Sequence, residues 1–339
     1  MRKSTILDLK CPKINRKRCS GNLKVEILSQ KNDEIIDGFL ICQACKSKYP
    51  IIQSIPILLN NLREYLKSEF RNISKTIGGD KKIHQEVFSY IIDLTNATFD
   101  EGFFSPGEGQ LYVAAQYGTK QQCRSRSSSL FNKWLKSYQK NSLREVIKRW
   151  ISENNLKDEK AIDIGCAAGG FTYLLAQKCS FSYGVDISFA SLFTANRIIK
   201  QIPTKLKYYL AVGEEKEVKI KIKKLDNIDF ILASADNLPF KNKTFGLALV
   251  SYIIDVEKNN FMILKEVNRT LDRGAGIFLS FVPFFRYLKY GNRKLLMDEE
   301  NIKVLMKSFN FYQVLRPISV DPRFLQRSVD CFMLGKKVN

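Results

Sequence analysis

The chain has 339 residues, 45% apolar and 26% charged. That is long enough for two domains and balanced like a globular protein, which excludes wholesale disorder, collagen-like repeats and a pure coiled coil. Fifty-five Lys and Arg against 34 Asp and Glu leave a net charge of +21, which raises the question of a polyanionic partner. Ser280 and Pro283 interrupt the longest apolar run, 276–285, so nothing approaches the roughly 18 apolar residues of a membrane span. The opening MRKSTILDLKCPK has too short an apolar stretch for a signal peptide. The expected compartment is the cytoplasm, where thiols stay reduced.

Four of the eight cysteines fall at the start: Cys11, Cys19, Cys42 and Cys45. Cys42 and Cys45 form a CxxC knuckle after the strand-like GFLI, whereas seven residues separate Cys11 from Cys19. Two close pairs suit structural zinc, with four thiolates and no open position for chemistry; buried reduced cysteine is the alternative. The words ILDLKCP, CSGNL and GFLICQACKSKYPIIQSIPILL, over about residues 5–60, resemble the small zinc-ribbon protein that activates several translation-linked methyltransferases. Its relatives open with CPxC followed by xGxL, which Cys11, Pro12, Cys19, Gly21 and Leu23 fit only with KINRKR as an insertion. The resemblance implies a zinc-ribbon domain at 1–60 that recognises and does not catalyse.

Residues 61–140 read as a helical, basic connector. Leu62, Tyr65, Leu66, Phe70 and Ile73, then Val87, Tyr90, Ile91 and Leu94, fall at helical spacing, so two helices are predicted around a break at Gly78, Gly79 and Asp80. His84, the only histidine, reads as a surface side chain, and EGFFSPGEG at 101–109 as a loop. Residues 120–149 hold nine basic side chains, among them Lys133, Lys136, Lys140 and Arg144, against Glu145 alone. Phe131, Trp134 and Tyr138 interleave with them, a mixture that suits phosphate pairing and base stacking on RNA. The same spacing also suits the apolar face of an amphipathic helix.

From 141 to 339 strands alternate with helices. Strands are predicted at 161–165, 182–187, 229–235, 247–252, 276–282, 311–317 and 331–337, with helices at 169–178, 189–201, 258–271 and 298–309. The fold class is therefore α/β: a mostly parallel, Rossmann-like seven-stranded sheet covered on both faces, beside the ribbon and the helical connector. Residues 205–226 interrupt the alternation as a hairpin. There Val218, Ile220 and Ile222 alternate with Lys219, Lys221 and Lys223, giving a basic face to dock the ribbon or a polyanion, or an edge blunted against aggregation.

The chemistry begins at AIDIGCAAGG, a glycine-rich turn running into the apolar helix FTYLLAQ. Gly165, Ala167 and Gly170 give GxAxxG, close to a dinucleotide fingerprint; Asp163, Gly165, Ala167 and Gly169 give DxGxAxG. An acid on the strand before the turn suits a ligand carrying an ammonium group. Asp186 ends the second strand and is placed for two ribose hydroxyls. With YGVDIS, ASADNLPFKNKTFGLALVSYIIDV and KEVNRTLDRGAGIFLSF, these segments look like the ordered motifs of class I S-adenosylmethionine-dependent methyltransferases.

That resemblance implies S-adenosylmethionine as cofactor. Its methionine end would lie at Asp163 and at Gly165, Cys166, Ala167 and Gly169, its ribose at Asp186 and Ile187, its adenine between Ala235 and Asp236. Ser251 and Tyr252 would face the methyl, and Tyr117 would close over it or form a plain turn. Ser234 stands where relatives often have an acid, and Ile254, Asp255 and Val256 where they often have a histidine, which leaves Asp255 and Tyr252 as the catalytic candidates. Methyl transfer from a sulfonium is an in-line displacement, so alignment and exclusion of water can carry much of the rate. The acceptor is read as RNA or another translation component, with a small molecule as the alternative and a non-catalytic cofactor-binding scaffold as a third.

Overall fold

The computed structural model describes the chain apart from residues 16, 20, 97–142, 154–155, 203–206, 212–213, 218–219, 221, 255–259, 282–286, 291–292, 297–303, 305–306, 308–310, 316–330 and 338–339. A 3-10 turn at Lys3–Leu7 leads into two two-residue strands, β1 (Ile14–Asn15) and β2 (Lys17–Arg18), which pair antiparallel inside the KINRKR insertion. β3 (Leu23–Lys31), β4 (Glu34–Cys42), β5 (Lys48–Ile52) and β6 (Ile55–Pro56) follow as an antiparallel sheet in that order. The two predicted helices are present. α1 (Leu62–Ile77) buries Leu62, Tyr65, Leu66, Phe70, Ile73 and Ile77 along one stripe and stops at left-handed Gly78. α2 (Gln85–Thr95) is capped by His84, whose Nδ1 accepts from the Glu86 amide, so the lone histidine is occupied structurally.

After α3 (Leu143–Glu153) the alternation begins: β7 (Lys160–Ile164), α4 (Gly170–Ala176), β8 (Phe181–Asp186), α5 (Phe189–Ile199), β9 (Lys207–Ala211), β10 (Glu214–Glu217), β11 (Ile228–Leu232), β12 (Phe245–Ser251), α6 (Asn260–Thr270) and β13 (Leu271–Phe281). β14 (Tyr287–Tyr290) and β15 (Arg293–Leu296) form a hairpin that the sequence pattern did not announce; β16 (Phe311–Leu315) and β17 (Cys331–Lys337) end the sheet. Its order is β11-β8-β7-β12-β13-β17-β16, parallel except for β17, which is antiparallel to both neighbours. All seven predicted sheet strands are found. The helix expected at 298–309 lies almost wholly outside the described residues.

The hairpin at 205–226 takes a different form from the one its alternation predicts. β9 pairs with β10, but β10 ends at Glu217, and the described residues of the lysine-alternating stretch carry no strand. Their backbone is satisfied by side chains instead: the Lys223 amide donates to Tyr173 Oη at 3.0 Å, and Gln201 Nε2 donates to the Ile222 carbonyl at 2.8 Å. Ile222 and Leu225 pack against the main core.

The ribbon docks elsewhere, on the free edge of β11. Ile57 pairs in parallel with Leu232, whose carbonyl accepts from the Leu58 amide at 2.8 Å, and Leu9 pairs with Phe240. An edge strand offers unpaired N–H and C=O groups, and this one is covered by the chain's own N-terminal part. One apolar cluster runs from Leu40, Ile51, Ile55 and Leu66 to Ile162, Tyr183, Phe230 and Leu264, so the core crosses residue 60 without a gap. Polar contacts seal the seam: Asp8 accepts from Lys160 Nζ at 2.7 Å and from Tyr183 Oη at 2.6 Å. The opposite face of the sheet has its own cluster, in which Ile147, Trp150, Phe171 and Leu174 cover Leu249 and Phe278.

Candidate functional site

The turn from β7 into α4 has three residues in the left-handed region, Gly165 (φ 73°), Ala167 (φ 46°) and Gly169 (φ 78°). A β-carbon at Gly169 would lie 2.7 Å from the Phe230 ring, so glycine is required there by packing as well as by φ. The amides of Gly165 and Cys166 both donate to the Val185 carbonyl, at 2.9 and 3.0 Å, which fixes the turn against β8. Cys166 itself is fully buried. Its thiol is pushed far above the usual range by burial and then by the charges of Asp186 and Asp163, so it contributes backbone rather than sulfur.

Asp186 stands across this turn. Its Oδ2 accepts from the Ala167 amide and its Oδ1 from the Ser188 amide, each at 2.9 Å. Burial raises its pKa, against the donation from Ser188, Ala167 and Ile187. Each oxygen keeps a further lone pair, so a carboxylate locked in this way can still accept from two hydroxyls. Behind it, Tyr65 on α1 donates to the Ile187 carbonyl at 2.9 Å. From its spacing alone Tyr65 reads only as part of a helix core.

Asp163 is wholly buried. Its Oδ2 accepts from Thr172 Oγ1 at 2.7 Å, while Oδ1 has no hydrogen-bond partner among the described residues. Burial raises its pKa to about 7, opposed by Thr172 and reinforced by the charge of Asp186. A buried carboxylate oxygen without a donor among the described residues, at the head of a glycine turn, is able to accept from a ligand's ammonium group. The sequence signal for Thr172 was a small hydroxyl side chain within the largely apolar FTYLLAQ.

The third wall follows β11. The Ala233 amide donates to the Asp186 carbonyl at 3.1 Å, and Ser234 Oγ donates to Asp236 Oδ1 at 2.5 Å. The residue in the place of the usual acid thus orients the acid two positions on. At the end of β12, Ser251 is in register with Ser280 of β13, and both hydroxyls are buried without a partner among the described residues. Tyr252 turns away with φ 53°, its amide donating to the Ser280 carbonyl at 2.9 Å. Asp255, Tyr117, Lys133, Lys136 and Lys140 lie outside the described residues; Arg144 sits half-buried on α3. The structure therefore brings Asp163, Gly165, Ala167, Gly169, Asp186, Ile187, Ala235, Asp236 and Ser251 to the carboxyl ends of the parallel strands, where α/β sheets bind ligands. A cavity of about 640 Å³ lined by Arg2, Glu34, Lys200 and Asp229 lies beside the start of β11, away from these groups.

The four cysteines also converge. Their sulfurs all lie within 4.8 Å of one another, with Cys11 Sγ 3.6 Å from Cys45 Sγ and Cys19 Sγ 3.7 Å from Cys42 Sγ. Tetrahedral zinc with bonds of about 2.3 Å places its sulfurs about 3.8 Å apart, so the set fits a closed, structural Zn2+ site. Gly21 admits it, because a β-carbon there would lie 2.5 Å from Cys42 Sγ. The wide Cys11 and Cys19 pair is accommodated by the β1–β2 hairpin, which returns the Cys19 amide to the Lys13 carbonyl at 2.8 Å. S-adenosylmethionine likewise fits the residues present: an orphaned acid for its ammonium, a left-handed turn for its carboxylate, and Asp186 for its ribose.

Residues 162–279 match the family described as methyltransferase domain. A demethylmenaquinone methyltransferase of Geobacillus is 27% identical over 176 residues, covering 50% of this chain and 66% of its own length. A ubiquinone/menaquinone biosynthesis C-methyltransferase of Agrobacterium fabrum is 33% identical over 95 residues, covering 28% of this chain and 36% of its own length. The chain thus spans less than two thirds of either relative. Among solved structures, a SAM-dependent methyltransferase from Methanosarcina mazei aligns with a TM-score of 0.40 at 20% identity, covering 56% of this chain and 97% of that one.

Proposed function

We propose, from the match of residues 162–279 to the methyltransferase domain family, that the chain is a class I, S-adenosylmethionine-dependent methyltransferase that transfers a methyl group to a small-molecule acceptor. The single observation carrying the donor half is Asp163 Oδ1, unpartnered among the described residues, beside the left-handed turn and the locked Asp186. S-adenosylmethionine, when bound, supplies an electrophilic methyl on sulfur. Asp163 holds the ammonium, Asp186 accepts from the ribose hydroxyls, and the Ala235 and Asp236 turn borders the adenine. The acceptor approaches at the ends of β12 and β13, where Ser251 and Ser280 offer two buried hydroxyls for its polar group. Leu249 and Phe278, one layer below under Trp150, keep the floor dry. Alignment and water exclusion there favour in-line displacement without a dedicated base.

A small-molecule acceptor is preferred to RNA because both curated relatives are named for methylation in quinone biosynthesis. RNA remains the second reading, supported by the basic 120–149 segment and by the ribbon's resemblance to a translation-linked activator. Transfer of labelled methyl from S-adenosylmethionine into a cell extract, fractionated afterwards, separates them. Label in the lipid or small-molecule fraction is expected. Label in RNA that nuclease releases, with binding weakened by salt and by charge reversal at Lys133, Lys136 and Lys140, reverses the preference.

A further inference from the structure

The insertion that sets the first cysteine pair apart from a compact CxxC knuckle has a role in the fold that zinc ligation does not require. Pro12 follows Cys11, and Arg18 precedes Cys19. Both grip the same side chain across the seam. Asn237 Nδ2 donates to the Pro12 carbonyl at 2.8 Å, and Arg18 Nη2 donates to Asn237 Oδ1 at 2.6 Å. The other prong of Arg18 reaches Glu266 Oε1 at 2.7 Å, and Glu266 Oε2 accepts from the Leu238 amide at 3.0 Å. Burial works against ionisation of Glu266, yet Arg269 and Arg18 hold its carboxyl below the usual range, so it stays an anion between two guanidiniums. Asn237 is itself the residue after Asp236, and its amide donates to the Ser234 carbonyl at 3.1 Å, closing the turn that carries Ala235 and Asp236.

Taking the S-adenosylmethionine reading as its basis, we infer that Asn237 is a positioning residue for the adenine wall, and that the insertion between Cys11 and Cys19 clamps it so that zinc retention and cofactor affinity are coupled. A metal that fixes Cys11 and Cys19 fixes the two groups that hold Asn237. Loss of the metal frees both. Linkage makes the coupling reciprocal: the factor by which zinc tightens cofactor binding is the factor by which the cofactor tightens zinc binding. The contacts of Pro12 and Arg18 fall on Asn237 and Glu266 rather than on the ends of β12 and β13, so the effect is expected on affinity for the cofactor and not on the acceptor side.

The test uses the full-length, zinc-loaded chain, with S-adenosylmethionine and a chromophoric zinc chelator as probes. Calorimetry on the wild type, Asn237→Ala and Arg18→Ala gives the cofactor Kd, and the chelator gives the rate of zinc loss with and without cofactor. The Kd is expected to rise about fivefold or more in both variants. Cofactor is expected to slow zinc loss from the wild type and not from Arg18→Ala. Arg18→Lys fails to restore the coupling, because one ammonium cannot span Glu266 and Asn237 as a planar fork does. Should Asn237→Ala not fold, Arg18→Ala decides, since its side chain is partly exposed and Glu266 keeps Arg269. A purely structural Arg18 lowers the melting temperature while leaving both the Kd and the cofactor-dependent zinc loss unchanged, and that result overturns the clamp alone. A wild type that binds no S-adenosylmethionine overturns the cofactor reading and the clamp with it.

Discussion

With Asp163 as the proposed partner of the ligand ammonium, cofactor binding is expected to depend on pH. Burial moves its carboxyl from 3.8 to about 7, roughly three pH units, so charging it in the ligand-free protein costs about 4 kcal/mol. A ligand ammonium needs the charged form. Above about pH 7 the site is ready; below it, each pH unit leaves tenfold fewer ionised sites, and the apparent affinity falls with them. Between pH 7.5 and 5.5 the loss is about 25-fold, taking a single site with a pKa of about 7. The same shift acts on the ligand-free fold in the opposite sense. The unfolded chain ionises Asp163 above about pH 4 while the native chain keeps the proton to about 7, so this residue's contribution to stability falls as pH rises across that window. Calorimetric titration with S-adenosylmethionine from pH 5.5 to 8.5 gives the profile, and repeating it near pH 7 in buffers of different ionisation enthalpy gives the proton released, about half at that pH. Asp163→Asn is expected to bind weakly with a flat profile. A wild-type Kd constant over this range, or an Asn variant that keeps the slope, refutes the assignment of the ammonium to Asp163.

Asp186→Ala removes the acceptor for the Ala167 and Ser188 amides and the charge proposed to face the ribose. A loss of about 1.5–3 kcal/mol in cofactor binding is expected, a roughly 10- to 150-fold rise in Kd by the same calorimetry. Gly169→Val combines a left-handed φ with a β-carbon 2.7 Å from Phe230. Its cost in urea unfolding is expected at about 2–4 kcal/mol. Zinc removal by chelation is expected to lower the stability of the whole described structure in one transition, because the apolar cluster spans ribbon and sheet. Trp150 reports the far face of the sheet, its ring 5.2 Å from Phe278. Loss of ribbon signal with Trp150 fluorescence unmoved shows two independent units instead.

Much of this was legible in the residues. The glycine turn, the acids near the ends of β7 and β8 and the CxxC knuckle each impose a local geometry that little else satisfies, so Asp163, Asp186 and Cys42 could be placed from spacing. The two helices were readable from the apolar stripe of α1 and the glycines after it. Long-range pairings left no comparable mark. Ile57 and Leu58 read as the apolar end of the ribbon, and nothing in IPILL says that its partner is Leu232. The alternation of Val218, Ile220 and Ile222 predicted a strand, but alternation records only which side chains seek the core; at Ile222 and Lys223 the side chains of Gln201 and Tyr173 take backbone bonds instead, and Val218 lies outside the described residues. Thr172, Asn237 and Ser280 were missed because a single polar residue has no periodicity, and Asn237 in addition draws its importance from Pro12 and Arg18, far away in sequence.

The pairing of Ile57 with Leu232 also sets an order of events during synthesis. Residue 57 leaves the ribosome 175 residues before its partner, a delay of roughly 10 to 35 s at ordinary elongation rates. For that time Ile57 and Leu58, both fully buried in the finished protein, lack the β11 edge on which they dock. A nascent chain in this state carries an open, apolar strand edge, the feature that recruits chaperones or other nascent chains. Slower elongation between residues 60 and 230 is therefore expected to lengthen this exposure, and yield in a translation system is expected to respond to codon choice in that stretch more than in the ribbon itself.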